Sequence, residues 1–156
     1  MTASVAQETT LTTIAAGVHL QAIKDFYRSC GYSGPTEPDD DVVLARLGQQ
    51  IVGVVRLVKE DEHFLLRGMQ VRADAQRRGL GRKMLAAFDR VARAKKIEAI
   101  FLTCGPHLEG FYGQIDFKTV KPGDFVPTPL ATRRAGYKSK YGEQIIMCRR
   151  QERGDG

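Results

Sequence analysis

The stretch Val71-Arg72-Ala73-Asp74-Ala75-Gln76-Arg77-Arg78-Gly79-Leu80-Gly81-Arg82 joins a strand-like apolar run to an amphipathic helix, and no other segment constrains the chain as much. Glycines at alternate positions let the backbone curl closely around a ligand. The first N–H groups of a helix have no intrahelical acceptor and point outward. With the positive end of the helix dipole they form a site for a pyrophosphate. Arg77, Arg78, Arg82 and Lys83 add charge around the same turn. Other phosphate motifs fit badly: a P-loop needs GxxxxGK followed by Ser or Thr, and a dinucleotide fingerprint needs a third glycine within a βαβ unit. Neither occurs here. A turn of purely structural purpose stays open at this point.

The segments around the turn set the fold class. Leu11 to Ile14 reads as a short strand, and residues 1–10 as a loose N-terminus. From His19 to Cys30, apolar residues at Leu20, Ile23, Phe26, Tyr27 and Cys30 follow one helical face. Ser33 to Asp41 reads as an exposed loop whose acid run is solvated. Val42–Leu47, Ile51–Val58 and Phe64–Val71 form an apparent antiparallel meander, with turns at residues 48–50 and 59–63. Arg82 to Lys95 puts Met84, Leu85, Phe88, Val91 and Ala92 on one face of a helix lying on a sheet. Ala99 to Cys104 is a buried-looking strand ended by Gly105-Pro106, and Leu108 to Ile115 a short helix. Phe117–Val120 and Glu143–Arg149 are two last strands, separated by a long Pro/Gly/Arg-rich connection, residues 121–142, read as a functional loop. The order predicts a single α/β domain over residues 11–150, with a mixed, mostly antiparallel twisted sheet flanked by helices and a loose tail at 151–156.

Composition narrows the class little further. No apolar run approaches the about 18 residues a bilayer span requires. Residues 1–10 show neither the basic start nor the apolar stretch of a signal peptide, so the expected address is the cytoplasm. Cys30, Cys104 and Cys148 are scattered and unpaired in sequence, which argues against a disulfide framework or a structural metal site. The net charge of +6 suits a phosphate-rich cofactor, nucleic acid or plain solubility alike.

Gln76-Arg77-Arg78-Gly79-Leu80-Gly81 resembles the Q/R-x-x-G-x-G/A signature of the GCN5-related N-acetyltransferases, the GNAT family, in the same strand–turn–helix context. The resemblance implies acetyl-CoA as acyl donor, its pyrophosphate held by backbone N–H groups from Arg77 to Arg82. It also implies that Met69, Gln70 and Val71 run beside the pantetheine arm, in a wedge where the central strands splay. Ala73 stands where many relatives carry proline. Downstream, Phe111-Tyr112-Gly113-Gln114-Ile115-Asp116-Phe117 resembles the family's FYxxxGF segment. By that resemblance Tyr112 is the general acid that protonates the departing thiolate, a step a positioned acid assists. Packing of Tyr112 against Phe111 and Phe117 is the alternative. Asp116 replaces the usual glycine, a residue suited to a positive-φ helix end.

The reaction so implied is direct transfer of an acetyl group to an amine of a small molecule or protein. The attacking amine needs a base, and Phe64 to Val71 offers only Gln70, which is no base. Glu60, Asp61, Glu62, His107 and Glu109 are substitutes, His107 because its ordinary pKa suits proton transfer near neutrality. Cys104 as an acyl-carrying nucleophile has no neighbouring base in sequence. Residues 133–141, basic with interleaved aromatics, suit nucleic acid or an acceptor pocket, but no accompanying signature makes nucleic acid the better reading. A non-catalytic acyl-CoA-binding regulatory module is the main rival. The partners implied are acetyl-CoA and an amine acceptor, with no membrane, no metal, and a homodimer allowed.

Overall fold

The computed structural model describes residues 9–151. The expected loose ends fall mostly outside that range. Within it, Thr9 and Thr10 already belong to a strand, and the Gln151 N–H donates to the Glu98 carbonyl at 2.8 Å.

One seven-stranded sheet runs through the described residues in the order β1-β2-β3-β4-β5-β7-β6. The strands are β1 (Thr9–Ala15), β2 (Asp41–Leu47), β3 (Gln50–Glu60), β4 (His63–Val71), β5 (Ala99–Cys104), β6 (Lys118–Thr119) and β7 (Ile145–Arg150). The sheet is mixed: β1 runs antiparallel to β2, β5 and β6 run antiparallel to β7, and β4 joins β5 in parallel through Phe64↔Ile100 and Leu65↔Phe101. Among the described residues four α-helices accompany it: α1 (Leu20–Ser29), α2 (Leu80–Ala94), α3 (Glu109–Gly113) and α4 (Thr128–Tyr141).

The chain gathers into two compact units. The first comprises the described residues through Arg56 together with Gly68–Phe88. The second comprises Leu57–Arg67 and the described residues from Asp89 onward.

In the first unit the sheet is covered on both faces, which is why β3 reads as an almost unbroken apolar run rather than an alternation. Ile23, Phe26 and Tyr27 of α1 pack on Val42, Leu44 and Val54. Met84 of α2 lies against Gly53, beside Ala45, on the alternate positions of the same strands. Each such buried side chain contributes about 1.5–3 kcal/mol.

In the second unit Leu130 of α4 caps a small core with Leu65, Phe101 and Ile146. Elsewhere in this unit Asp89 accepts from Arg149 at 2.5 Å and from Arg93 at 2.9 Å.

Two expectations are corrected. Residues 121–142 are not a loop throughout, because Thr128–Tyr141 is helical. Leu130 alone in α4 is fully buried, so the segment lacks the apolar periodicity that announces a helix. The acid run of the loop after α1 is not simply solvated either. Asp40 is 5% exposed and pairs with Arg56, which is wholly buried in β3.

The β3–β4 hairpin turns on Asp61-Glu62, with φ of +47° and +68°. A two-residue turn with both central residues left-handed favours Asn-Gly, and an L-residue with a Cβ pays about 1–2 kcal/mol there. The Lys59–Glu62 ion pair at 3.6 Å is exposed and offsets little. Replacing Asp61-Glu62 by Asn-Gly is therefore expected to raise stability by about 1–2 kcal/mol, seen as a higher urea midpoint with an unchanged slope.

Candidate active site

The turn after β4 is shaped by its neighbours before any ligand is considered. Gly68 sits in the strand at φ +65°, where a Cβ would lie 2.4 Å from the Tyr27 hydroxyl. Only glycine fits such a left-handed, crowded position. Met69, Gln70 and Val71 follow, all half-buried. The Arg72 N–H donates to the Val52 carbonyl at 2.8 Å, and the chain then makes a 3-10 turn at Ala73–Ala75. Gln76 reaches back, its Nε2 donating to the Val71 carbonyl at 2.9 Å. Arg72 clamps both Asp74 oxygens at 2.5 and 3.0 Å and donates to Gln50 at 2.8 Å. That hydrogen-bonded clamp holds the Asp74 carboxyl below its ordinary range. These bonds supply the rigidity that Ala73, in place of proline, does not.

Arg77 and Gly79 then take φ of +66° and +74°, and Leu80, buried, starts α2. The Lys83 N–H bonds the Gly79 carbonyl at 3.1 Å. Among the described residues, the N–H groups of Arg77 to Arg82 meet no acceptor, and Arg77, Arg78, Arg82 and Lys83 form no ion pair. Alternating left-handed residues ahead of a helix make a concave array of N–H donors, a shape that binds anions. The Cβ position of Gly79 has nothing within 4 Å. Beside the turn lies a cavity of about 200 Å³ lined in part by Arg72, Asp74, Arg78, Leu80 and Lys83. The donor set and charge of this turn fit a pyrophosphate.

Met69 through Arg82 belong to the first unit, whereas Tyr112 belongs to the second. Tyr112 lies in α3, 6% exposed, with Phe111 and Phe117 edge-on at 5.1 and 6.1 Å. Among the described residues its hydroxyl makes no hydrogen bond. Burial, with the Cys104 thiol adding to it, pushes the phenol well above its ordinary value. Cys104 is buried too, and burial followed by the Glu109 carboxylate lifts its thiol to about 11. A thiol so lifted holds almost no thiolate near neutrality, so Cys104 is a poor nucleophile. Asp116 keeps the left-handed conformation expected of a glycine, φ +72°, and its carboxylate meets Arg93 at 3.3 Å.

The candidate bases are dispersed in role. Glu60 is held by Arg67 and Arg133, and the Glu109 carboxylate accepts from Thr119 at 2.5 Å. Asp61 and Glu62 form the exposed hairpin turn, and His107 is exposed. Among the described residues no group of three or more His, Cys, Asp or Glu could hold a metal ion, and no helix is long and apolar enough to cross a membrane.

The sequence model of the family described as "Acetyltransferase (GNAT) domain" matches residues 15–125, a span that holds both the turn and Tyr112. The chain belongs to the GNAT acetyltransferases. Comparison with curated proteins gives no significant match. Among solved structures, ElaA from Escherichia coli aligns with a TM-score of 0.66 at 15% identity, over 91% of this chain and 99% of its own. The ribosomal-protein-S18-alanine N-acetyltransferase from Escherichia coli aligns at 0.68 and 13%, over 96% of this chain and 98% of its own. N-acetylglutamate synthase from Neisseria gonorrhoeae, complexed with coenzyme A and N-acetyl-glutamate, aligns at 0.63 and 19%, over 94% of this chain but only 36% of the synthase. At such identities the likeness is one of fold.

One part of this GNAT chain's frame escaped the sequence reading. Arg56 donates to the Tyr27 hydroxyl (3.0 Å), the Pro35 carbonyl (2.8 Å), Asp40 (2.9 Å) and the Tyr32 hydroxyl (2.9 Å). Tyr27 in turn donates to the Gly68 carbonyl at 2.8 Å. A single buried guanidinium thus ties the loop after α1 to the kink that precedes Met69. The signal was present: an arginine inside an apolar strand must find a buried partner, and three aspartates stood in the preceding loop.

Proposed function

We propose that the protein is an N-acetyltransferase that moves an acetyl group from acetyl-CoA directly to an amine. The observation that carries this reading is the turn into α2: among the described residues the N–H groups of Arg77 to Arg82 meet no acceptor, and Arg77, Arg78, Arg82 and Lys83 form no ion pair. In this reading Arg77, Arg78, Gly79, Leu80, Gly81 and Arg82 hold the pyrophosphate through the backbone. Gln76 braces the turn, and the strand residues Met69, Gln70 and Val71 line the pantetheine arm. The bound cosubstrate supplies the activated thioester. Tyr112 holds a proton at its hydroxyl for the sulfur that leaves.

A phenol above its ordinary pKa is a weak acid for a thiolate, and each unit of mismatch costs about 1.4 kcal/mol. The mismatch shrinks in a dry site, because burial raises thiols too. Cys104, beside Tyr112, shows this with its lift to about 11.

The test is a calorimetric titration with acetyl-CoA, followed by thiol release with a panel of amines. Binding at micromolar strength with turnover of at least one amine is the expected result. Absence of binding removes the reading. Binding without turnover of any amine favours a regulatory acyl-CoA-binding module, a reading supported by the engaged state of Glu60 and Glu109.

A further inference from the structure

In the second unit, Arg67 of β4 and Arg133 of α4 share one carboxylate. The Arg133 Nη2 donates to Glu60 Oε1 at 2.9 Å, and the Arg67 Nη1 reaches the same oxygen at 3.5 Å. The two arginine side chains are 18% and 9% exposed. Among the described residues no other carboxylate pairs with either guanidinium, the Arg67 side chain makes no hydrogen bond, and the Arg133 Nη1 and the Glu60 Oε2 are each buried without a hydrogen-bond partner. Two guanidiniums against one carboxylate leave one positive charge unmatched in a largely desolvated place. Removing an ion from water costs several kcal/mol unless a partner restores it. Guanidinium forks also match a carboxylate in shape as well as charge.

We infer that the acceptor amine carries a carboxylate, and that Arg133 and Arg67 receive it. The acceptor class is then amino acids and related amino carboxylates, not diamines or polyamines. This inference rests on the acetyl-transfer reading above. Glu60 acts in it as an internal carboxylate that holds the two guanidiniums together while competing with the ligand for them. Arg67 stands two positions before Met69-Gln70-Val71, the strand segment assigned to the pantetheine arm.

The test uses the full chain with saturating acetyl-CoA. Thiol release is measured with L-amino acids, the same amino acids as carboxamides, and putrescine. The carboxylates are expected to exceed their amides at least ~10-fold in kcat/KM, the range of one charged hydrogen bond. Arg133→Gln and Arg67→Gln should raise the acceptor KM by about 10- to 100-fold while the KM for acetyl-CoA stays put. Glu60→Gln should lower the acceptor KM severalfold, because it frees both guanidiniums. A purely structural triad predicts the opposite sign for that variant. Equal use of amides or putrescine, or a rise in both KM values in the arginine variants, overturns the inference. If no amine is turned over although acetyl-CoA binds, the transfer reading fails. The same panel is then titrated calorimetrically into the acetyl-CoA complex, and equal binding of carboxylates and amides overturns the inference separately.

Discussion

Gly79→Glu is expected to weaken acetyl-CoA binding by ~100-fold or more while leaving a folded protein. The position has φ +74° and open space where a Cβ would stand. An added Cβ therefore meets no clash, and its backbone cost is about 1–2 kcal/mol. Its carboxylate would enter a turn ringed by Arg77, Arg78, Arg82 and Lys83 and occupy the donors meant for a phosphate. It would also repel the ligand: at about 4 Å near a protein surface, like charges oppose each other by roughly 4 kcal/mol. Gly79→Asn separates the two causes. Asn tolerates the left-handed region better than most L-residues and carries no charge, so it should cost less than ~10-fold in affinity. Calorimetry with acetyl-CoA reads the affinities, and urea unfolding reads the fold. If Gly79→Glu binds like the parent, the phosphate does not sit on this turn. If Gly79→Asn fails as badly as Gly79→Glu, backbone shape rather than charge governs the site.

The turn was legible because its physics is local. Two glycines, a row of cations and the switch from strand to helix all lie within one short stretch, and local patterns survive without tertiary context. The strand Ala99–Cys104 was legible for a similar reason: a short apolar run, closed by Gly105-Pro106, has few other uses. Helix α4 was not. Its Pro129, Gly136 and basic residues carry loop chemistry, and with Leu130 its only fully buried residue there was no apolar stripe to read. The Arg56 hub was missed because its partners, from Asp40 to Tyr27, stand 16 to 29 positions away in sequence, and Tyr27 stands 41 from Gly68. Sequence spacing records helical and strand neighbours, not partners brought together by folding a loop back onto a strand. The same holds for Glu60, Arg67 and Arg133, each of which alone reads as a surface charge. The base is a different matter, since a residue that need only touch one proton leaves no periodic trace.

Tyr112→Phe separates the two roles open to this residue more cleanly than most substitutions would. Packing is preserved, because phenylalanine keeps the edge-on contacts with Phe111 and Phe117. No hydrogen bond is lost among the described residues, since the hydroxyl makes none. Stability is therefore expected to change by less than about 0.5 kcal/mol. A packing role predicts full activity as well. A general acid role predicts a fall in kcat of about 10²- to 10³-fold with the KM for acetyl-CoA unchanged, because the proton is needed only as the thiolate leaves. The pH profile supplies an independent check. A general acid works in its protonated form, and the phenol is held above the ordinary tyrosine pKa of about 10. Deprotonation of Tyr112 should therefore impose no alkaline loss of kcat below about pH 10; any limb at lower pH belongs to another group. If a falling limb near pH 8 to 9 vanishes in Tyr112→Phe, the phenol titrates far lower than its burial dictates, and α3 must open to water during turnover. If kcat stays within twofold of the parent, the hydroxyl is a bystander, and solvent or the acceptor itself must protonate the sulfur.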